Sequence, residues 1–231
     1  PDHCLDPQML SIPLDQLDEI IKNLKKHPEC RRQILQMWDP TCDLGHDGKD
    51  VPCNTVAHFQ VNTWGALDMT VFCRSNDIIW GCYGANVVHF SILQEYMAAK
   101  IGVPVGSYWQ ISDNWHAYIE VLEKTDVTEM ENPYATEKVA PFPLINPNHV
   151  DKWDGQLKMF MEEPDAIGNM DPFFRHVARP IYKAWEAYQE GEGSQKYGEA
   201  FKHLANCKAT DWRGACDAWI LRRHQRQMGN G

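Results

Sequence analysis

The chain has 231 residues, 43% of them hydrophobic, with a formal net charge of −10 and a pI near 5.4. That is enough apolar material for one large or two small cores, while the acidic balance argues against a protein that coats nucleic acid. No apolar run approaches the roughly eighteen residues of a membrane span, so neither nucleic acid nor membrane is expected as a direct partner.

Leu14, Leu17, Ile20, Ile21 and Leu24 recur at helical spacing, which predicts an amphipathic helix over residues 15–26 that stops before Pro28. Residues 33–38 read as a strand. Residues 39–52, with Pro, Gly and four Asp, read as a polar loop. Residues 56–61 and 67–72 alternate apolar with polar or small side chains, and residues 62–65 supply turn chemistry, so a β-hairpin is expected. Residues 86–100 predict a helix burying Val87, Val88, Leu93, Tyr96 and Met97, closed by Gly102 and Pro104. Residues 107–111 and 116–122 read as two strands joined by a short polar connection.

Beyond Glu123 the pattern changes. Residues 129–151 are rich in Pro and Asn and read as loop, with residues 142–145 adding an edge strand. Helices are expected over residues 172–188, 195–207 and 211–226, the first two separated by Gly191-Glu192-Gly193-Ser194. Two regions result: an α+β core over residues 1–150 and a mainly helical extension over residues 151–231.

The eight cysteines include no C-x-x-C pair, and the ten histidines no H-E-x-x-H or His/Cys metal spacing, so no metal site is expected. With no signal-peptide pattern, the thiols read as reduced and the location as cytoplasmic. His58 and His89 lie in apolar strand and helix contexts and read as structural residues. Trp185, Tyr188, Trp212 and Trp219 read as helix-packing material.

The hairpin has a chemical consequence. It starts one strand at Cys53 and ends the other at Arg74, bringing both to the same end of the sheet. A guanidinium within a few ångströms favours thiolate over thiol, lowering a cysteine pKa from about 8.5. An isolated cysteine is more commonly a small core residue; the surrounding motifs point elsewhere. In order they are Asp15-Gln16-Leu17, His27-Pro28-Glu29-Cys30-Arg31-Arg32, Met37-Trp38-Asp39-Pro40, Pro52-Cys53, residues 59–61, Arg74-Ser75-Asn76-Asp77, Gly81, Asn86, Gly106 and His116-Ala117-Tyr118.

This order resembles the thymidylate synthase family, including its pyrimidine hydroxymethylase branch, over a little under half of the chain. The resemblance implies a mixed sheet packed with helices. It also implies one-carbon transfer from 5,10-methylenetetrahydrofolate to carbon 5 of dUMP or a related pyrimidine deoxynucleotide. Cys53 would add to carbon 6 and so make carbon 5 an enolate nucleophile. Arg74 and Ser75 match the family's phosphate-binding pair, and Arg74 would also assist the thiolate. Arg31 and Arg32 match a double arginine that reaches the partner's phosphate across a homodimer; within one chain they could also cluster with Arg74. Asn86 would read the base, an amide suiting uracil and an acid suiting cytosine. His116 and Tyr118, two apart on a strand and so on one face, match the pair that binds the sugar hydroxyl. Asp77 and Gly81 match positions near the folate.

The departures are informative too. Asn54 stands where many thymidylate synthases have histidine, and Cys73 where they have glutamine; both are closer to the phage hydroxymethylases. Asn86 fits only with a one-residue insertion in residues 81–85, and without it is a helix N-cap. Asn114-Trp115 adds a residue relative to the common pattern. The family's closing C-terminal tail is not recognisable in residues 222–231. Its upstream segment, with a catalytic glutamate and a phosphate loop, is not found either, which suggests a truncation or an incomplete site. Methylation of dUMP is placed first, 5-hydroxymethylation of dUMP or less readily dCMP second, and a non-catalytic nucleotide-binding relative third.

Overall fold

The structure, a computed structural model, describes residues 14–48, 51–124, 139, 141–166 and 168–229. They fall into two compact units that divide between residues 125 and 126. The loop expected over residues 129–138 lies outside the described residues, as do residues 49 and 50 of the polar loop before Cys53.

In the first unit, helix α1 (Gln16–Lys26) starts where the Asp15 carboxylate accepts the Asp18 N–H at 3.0 Å. Asp18 and Glu19 in its first turn and Lys25 and Lys26 in its last complement the helix dipole. Its apolar stripe buries Ile20, Ile21 and Leu24. Strand β1 (Gln33–Gln36) is shorter than residues 33–38 because the Met37 and Trp38 N–H groups both turn to the Thr55 carbonyl, at 2.9 and 3.1 Å. The Gln16 amide fastens α1 to β1 through paired bonds to the Gln36 backbone, 3.0 and 2.8 Å long. The following polar stretch contains a short helical turn, α2 (Pro40–Asp43), capped by Asp39.

The hairpin forms as expected. Strands β2 (Asn54–Val61) and β3 (Leu67–Asp77) pair antiparallel from Asn54↔Cys73 to Val61↔Leu67. The Asn62 side chain closes the turn by accepting the Trp64 and Ala66 N–H groups. A π-helical turn (Ile78–Cys82) leads to α3 (Ala85–Ile101), which ends at Gly102 in the left-handed region, φ 91°. Strand β4 (Val105–His116) then pairs parallel to β3, giving a mixed sheet of order β1-β2-β3-β4 among the described residues.

Three expectations change here. Residues 107–111 and 116–122 are not two strands: β3 runs on to Asp77, so it supplies ladder partners for Ser112, Asn114, Trp115 and His116, and β4 continues through the polar Asp113-Asn114 pair. Residues 119–122 instead form the short helix α4 (Ile119–Leu122). The buried side of α3 is Phe90, Gln94, Met97, Ala98 and Ile101, with Val88 exposed. Gln94 is tolerated inside because its amide donates to the Leu67 and Ser107 carbonyls at 2.8 and 3.1 Å. His58 and His89 are both exposed; His58 lies on the outer sheet face with its ring 4.9 Å from that of Phe72.

The core of this unit joins α1 and α3 to one face of the sheet through Ala57, Phe59, Leu67, Met69, Val71 and Cys73. Burial, reinforced by the neighbouring Cys53 and Cys82, pushes the Cys73 thiol up to about 11.

In the second unit, residues 142–145 form no strand, although Leu144 and Ile145 are buried. A 3₁₀ turn (Pro147–Lys152) runs into α5 (Trp153–Glu162), which the sequence reading did not foresee. The Trp153 indole donates to the Leu144 carbonyl at 3.2 Å. Asp171, fully buried, accepts the Asn146 and Phe173 N–H groups at 2.9 Å each and lies 3.3 Å from His149. A π-turn (Phe174–Ala178) precedes α6 (Arg179–Glu190), followed by α7 (Gln195–Leu204) and α8 (Thr210–Gly229). Ala184, Tyr197, Ala200, Leu204 and Ile220 form a core with Tyr188 and Trp219 packed on it, and Trp212 meets Phe173 edge-on. Trp185 and Trp219 also border an apolar cavity of about 310 Å³ beside Cys216. No helix among the described residues is long and apolar enough to cross a membrane.

Leu24 is wholly inaccessible, so Leu24→Ala should lower unfolding free energy by about 2–5 kcal/mol, read from the denaturant midpoint at unchanged slope. The native chain holds the Cys73 proton more tightly than the unfolded chain does. That stabilisation is complete below the ordinary thiol value of 9.0 and is lost as pH rises towards about 11. Stability should therefore decline above about pH 9, and Cys73→Ala should flatten the decline.

Candidate functional site

The sheet gathers most of the predicted residues at one end. Cys53 is exposed and immediately precedes β2, and the Arg74 N–H donates to its carbonyl at 2.9 Å. The Arg74 guanidinium grips the residues before the thiol: Nε donates to the Pro52 carbonyl at 2.9 Å and Nη2 to the Val51 carbonyl at 3.1 Å. It also lies 5.5 Å from the centre of the Trp38 ring. Two of the five guanidinium N–H donors are used in these bonds, and a planar fork of this kind suits a phosphate. Asn54 opens β2 opposite Cys73, whose thiol donates to the Asn54 Oδ1 at 3.1 Å. A thiol with a raised pKa stays protonated and keeps this donor role.

One step further along β3, Ser75 pairs with Asn114, and Asp77 pairs with His116. The Asp77 Oδ1 caps the π-turn by accepting the Ile79 and Trp80 N–H groups at 2.9 and 2.6 Å. Its Oδ2 is buried without a partner among the described residues. Gly81 lies buried within that turn. Asn86 occupies the second residue of α3; the N-cap position is Gly84, so the alternative of Asn86 as a helix cap is corrected. His116 ends β4 and Tyr118 follows it outside the strand, with the two rings edge-on at 5.5 Å. They remain neighbours by ring contact rather than by strand alternation.

Arg31 and Arg32 lie elsewhere. Both are exposed between α1 and β1 and line a polar cavity of about 600 Å³ with Asn23, His27, Glu29, Cys30 and Gln33. The register sets Gln33 opposite Phe59, whereas Cys53 adjoins Asn54. About 17 Å of strand, at ~3.4 Å per residue, therefore separates the two arginines from Cys53 and Arg74. A cluster of all three arginines within one chain is not formed.

Three polar groups near these residues were not assigned a site role from sequence. Cys73 was visible only as a substitution. Cys30 has a thiol held below its ordinary range, first by the Arg32 backbone N–H and then by the Gln33 amide, which donates to it at 3.0 Å. Asn76 is 1% exposed and donates from Nδ2 to the Ser112 hydroxyl at 2.9 Å. Only its position inside Arg74-Ser75-Asn76-Asp77 could have drawn attention to it. No group of three or more His, Cys, Asp or Glu among the described residues is placed to hold a metal ion.

Comparison with known proteins gives this arrangement a family. A deoxyuridylate hydroxymethyltransferase of Pseudomonas phage M6 is 48% identical over 90% of this chain and 62% of its own length. A protein of the same name from Bacillus phage SP01 is 42% identical over 47% of this chain and 28% of its own. A Methanothermobacter thermautotrophicus protein, provisionally named a thymidylate synthase, is 38% identical over 46% of each chain. The chain thus spans less than two thirds of the length of these relatives. The family profile described as thymidylate synthase matches residues 8–170, well over half of the sequence, and the chain belongs to the thymidylate synthase family.

Proposed function

We propose that this chain carries the nucleotide-handling part of an enzyme that transfers a one-carbon unit to carbon 5 of dUMP and delivers it as a hydroxymethyl group. The observation that carries the reading is the 48% identity, along 90% of the chain, to a phage protein named for that reaction. Methylation, placed first from sequence, becomes the second reading; the name of the archaeal relative favours it. Residues 1–150 are assigned the chemistry and residues 151–231 a helical extension.

In this reading the Cys53 sulfur bonds to carbon 6 of the pyrimidine, and the ring electrons move to an enolate whose carbon 5 attacks the one-carbon unit of methylenetetrahydrofolate. Carbon 5 then loses its proton as tetrahydrofolate departs, leaving an exocyclic methylene at which the two outcomes part. Water adds its oxygen there and loses a proton, with tetrahydrofolate unoxidised, or a hydride from the folate makes a methyl group and dihydrofolate; in either case the enolate re-formed expels the Cys53 thiolate from carbon 6. Arg74 and Ser75 hold the phosphate, and Asn54 faces the base beside the nucleophile. Asn86 reads the base, and His116 with Tyr118 holds the sugar. The unpartnered Asp77 Oδ2 suits an N–H donor of the folate ring, and Gly81, in the turn that Asp77 caps, is assigned to the same contact.

A homodimer completes the reading. Ile34, His58, Thr70 and Trp109 form one row across the outer sheet face, and Gln36, Val56, Phe72 and Ile111 the next. Ile34, Trp109 and Ile111 are 48%, 61% and 51% exposed, an apolar surface that a second copy would cover. With Arg31 and Arg32 remote from their own Cys53, the partner's phosphate is the anion they can serve.

The full-length protein, given dUMP and methylenetetrahydrofolate, should yield a hydroxymethyl product by mass with no rise in dihydrofolate absorbance. A methyl product with stoichiometric dihydrofolate would establish the second reading instead. Cys53→Ser should abolish turnover. Ile111→Asp should lower the sedimenting mass to that of one chain; an unchanged dimer would refute this face as the interface.

A further inference from the structure

A buried asparagine beneath Gly81 carries a role that the reading of the site does not use. Asn76 is the next-to-last residue of β3 and has almost no exposure. Its Nδ2 is anchored on the Ser112 hydroxyl of the adjacent strand, 2.9 Å away. Its Oδ1 is buried and has no partner among the described residues. A buried amide oxygen left without a donor is costly, and such an orphan calls for a partner.

The backbone at Gly81 shows where the oxygen points. A Cβ on residue 81 would overlap Asn76 Oδ1, and the same Cβ would lie 3.3 Å from Asn86 Nδ2. Glycine thus leaves open a slot bounded by an acceptor from β3 and an amide from the first turn of α3.

We infer that Asn76 is a positioning residue that sets which way the Asn86 amide faces, and so makes the site select uracil over cytosine. The inference rests on the reading that Asn86 meets the base. An asparagine by itself is a degenerate reader. Its amide can donate to O4 and accept from the N3–H of uracil, and after a flip it can accept from the cytosine amine and donate to the unprotonated N3. A fixed acceptor at Asn76 breaks that symmetry. In this structure Asn86 Nδ2 makes no bond to that oxygen; with a base bound, an Asn86 turned so that Nδ2 donates one hydrogen to Asn76 Oδ1 keeps its second hydrogen and its own oxygen for O4 and N3–H. The flipped amide would set two oxygens against each other in a buried slot, which is unfavourable. Ser112 holds Asn76 in place, so the preference is built across two strands and the turn between β3 and α3.

Calorimetric titration of the full-length protein with dUMP and with dCMP, without folate, tests this independently of which product the enzyme makes. Asn76→Leu retains volume but removes the acceptor, and Ser112→Ala releases the anchor. Each should reduce the preference for dUMP by about 5- to 30-fold, the factor expected for one hydrogen bond, with dCMP binding gaining as dUMP binding weakens. A purely structural role would weaken both nucleotides alike, and that result, or an unchanged preference, would overturn the proposal. Gly81→Ala supplies a second route should Asn76→Leu fail to fold: its methyl displaces the Asn76 oxygen, so the preference should fall in the same way, and a retained preference would overturn the proposal. Wild-type protein that binds both nucleotides equally, or an Asn86→Ala variant with undiminished preference, would instead remove the underlying reading of Asn86.

Discussion

Everything at the candidate site depends on β3 having neighbours of opposite sense. Because β2 is antiparallel to β3, the start of β2 lies beside the end of β3 and Cys53 meets Arg74. Because β4 is parallel to β3, the two strands finish together and His116 meets Asp77. A sheet of one sense would spread these groups over both ends. The mixed order lets one strand, with four consecutive polar residues at its end, collect a thiol from one side and an imidazole from the other.

That concentration of polar groups sits next to an apolar core, and the fold handles it by pairing. Cys73, Asn76 and Gln94 are buried, and each donates to a named partner, the Asn54 oxygen, the Ser112 hydroxyl and two backbone carbonyls, while the Asn76 oxygen alone of these groups has none among the described residues. A buried polar group of this kind adds little net stability when satisfied and costs much when stranded. Their geometry is therefore fixed more tightly than apolar packing alone would fix it. The Arg74 guanidinium plays the corresponding part at the surface, where its two carbonyl bonds hold the residues that precede Cys53.

Much of this was legible in the sequence. Strict alternation on either side of residues 62–65 gave the hairpin, and with it the meeting of Cys53 and Arg74. The amphipathic stripe and Asp15 cap gave α1. Other parts were hidden for physical reasons. Asp113-Asn114 resembles a turn, but a strand whose ladder partner continues can carry polar residues, so β4 was cut in two. Helix α3 is apolar on several sides, so periodicity could not say which side faces the sheet. The distance between the double arginine and Arg74 follows from strand register, which no local pattern specifies. Asn76 was passed over inside a recognised motif because nothing in its type says that it is buried.

The two contacts made by β3 differ in chain separation. The Cys53 side is closed by a tight turn, whereas the His116 side requires residues 78–104 to cross over as the π-turn and α3 before β4 can pair. Loop closure costs more entropy as the closed segment lengthens. The nucleophile and its arginine are therefore joined cheaply, and the sugar-binding end only when the whole crossover is in place. Residues 78–104 thus serve as a tether whose integrity limits how much of the site exists at any moment. A lesion in that stretch can leave the thiol and guanidinium together while dispersing the rest.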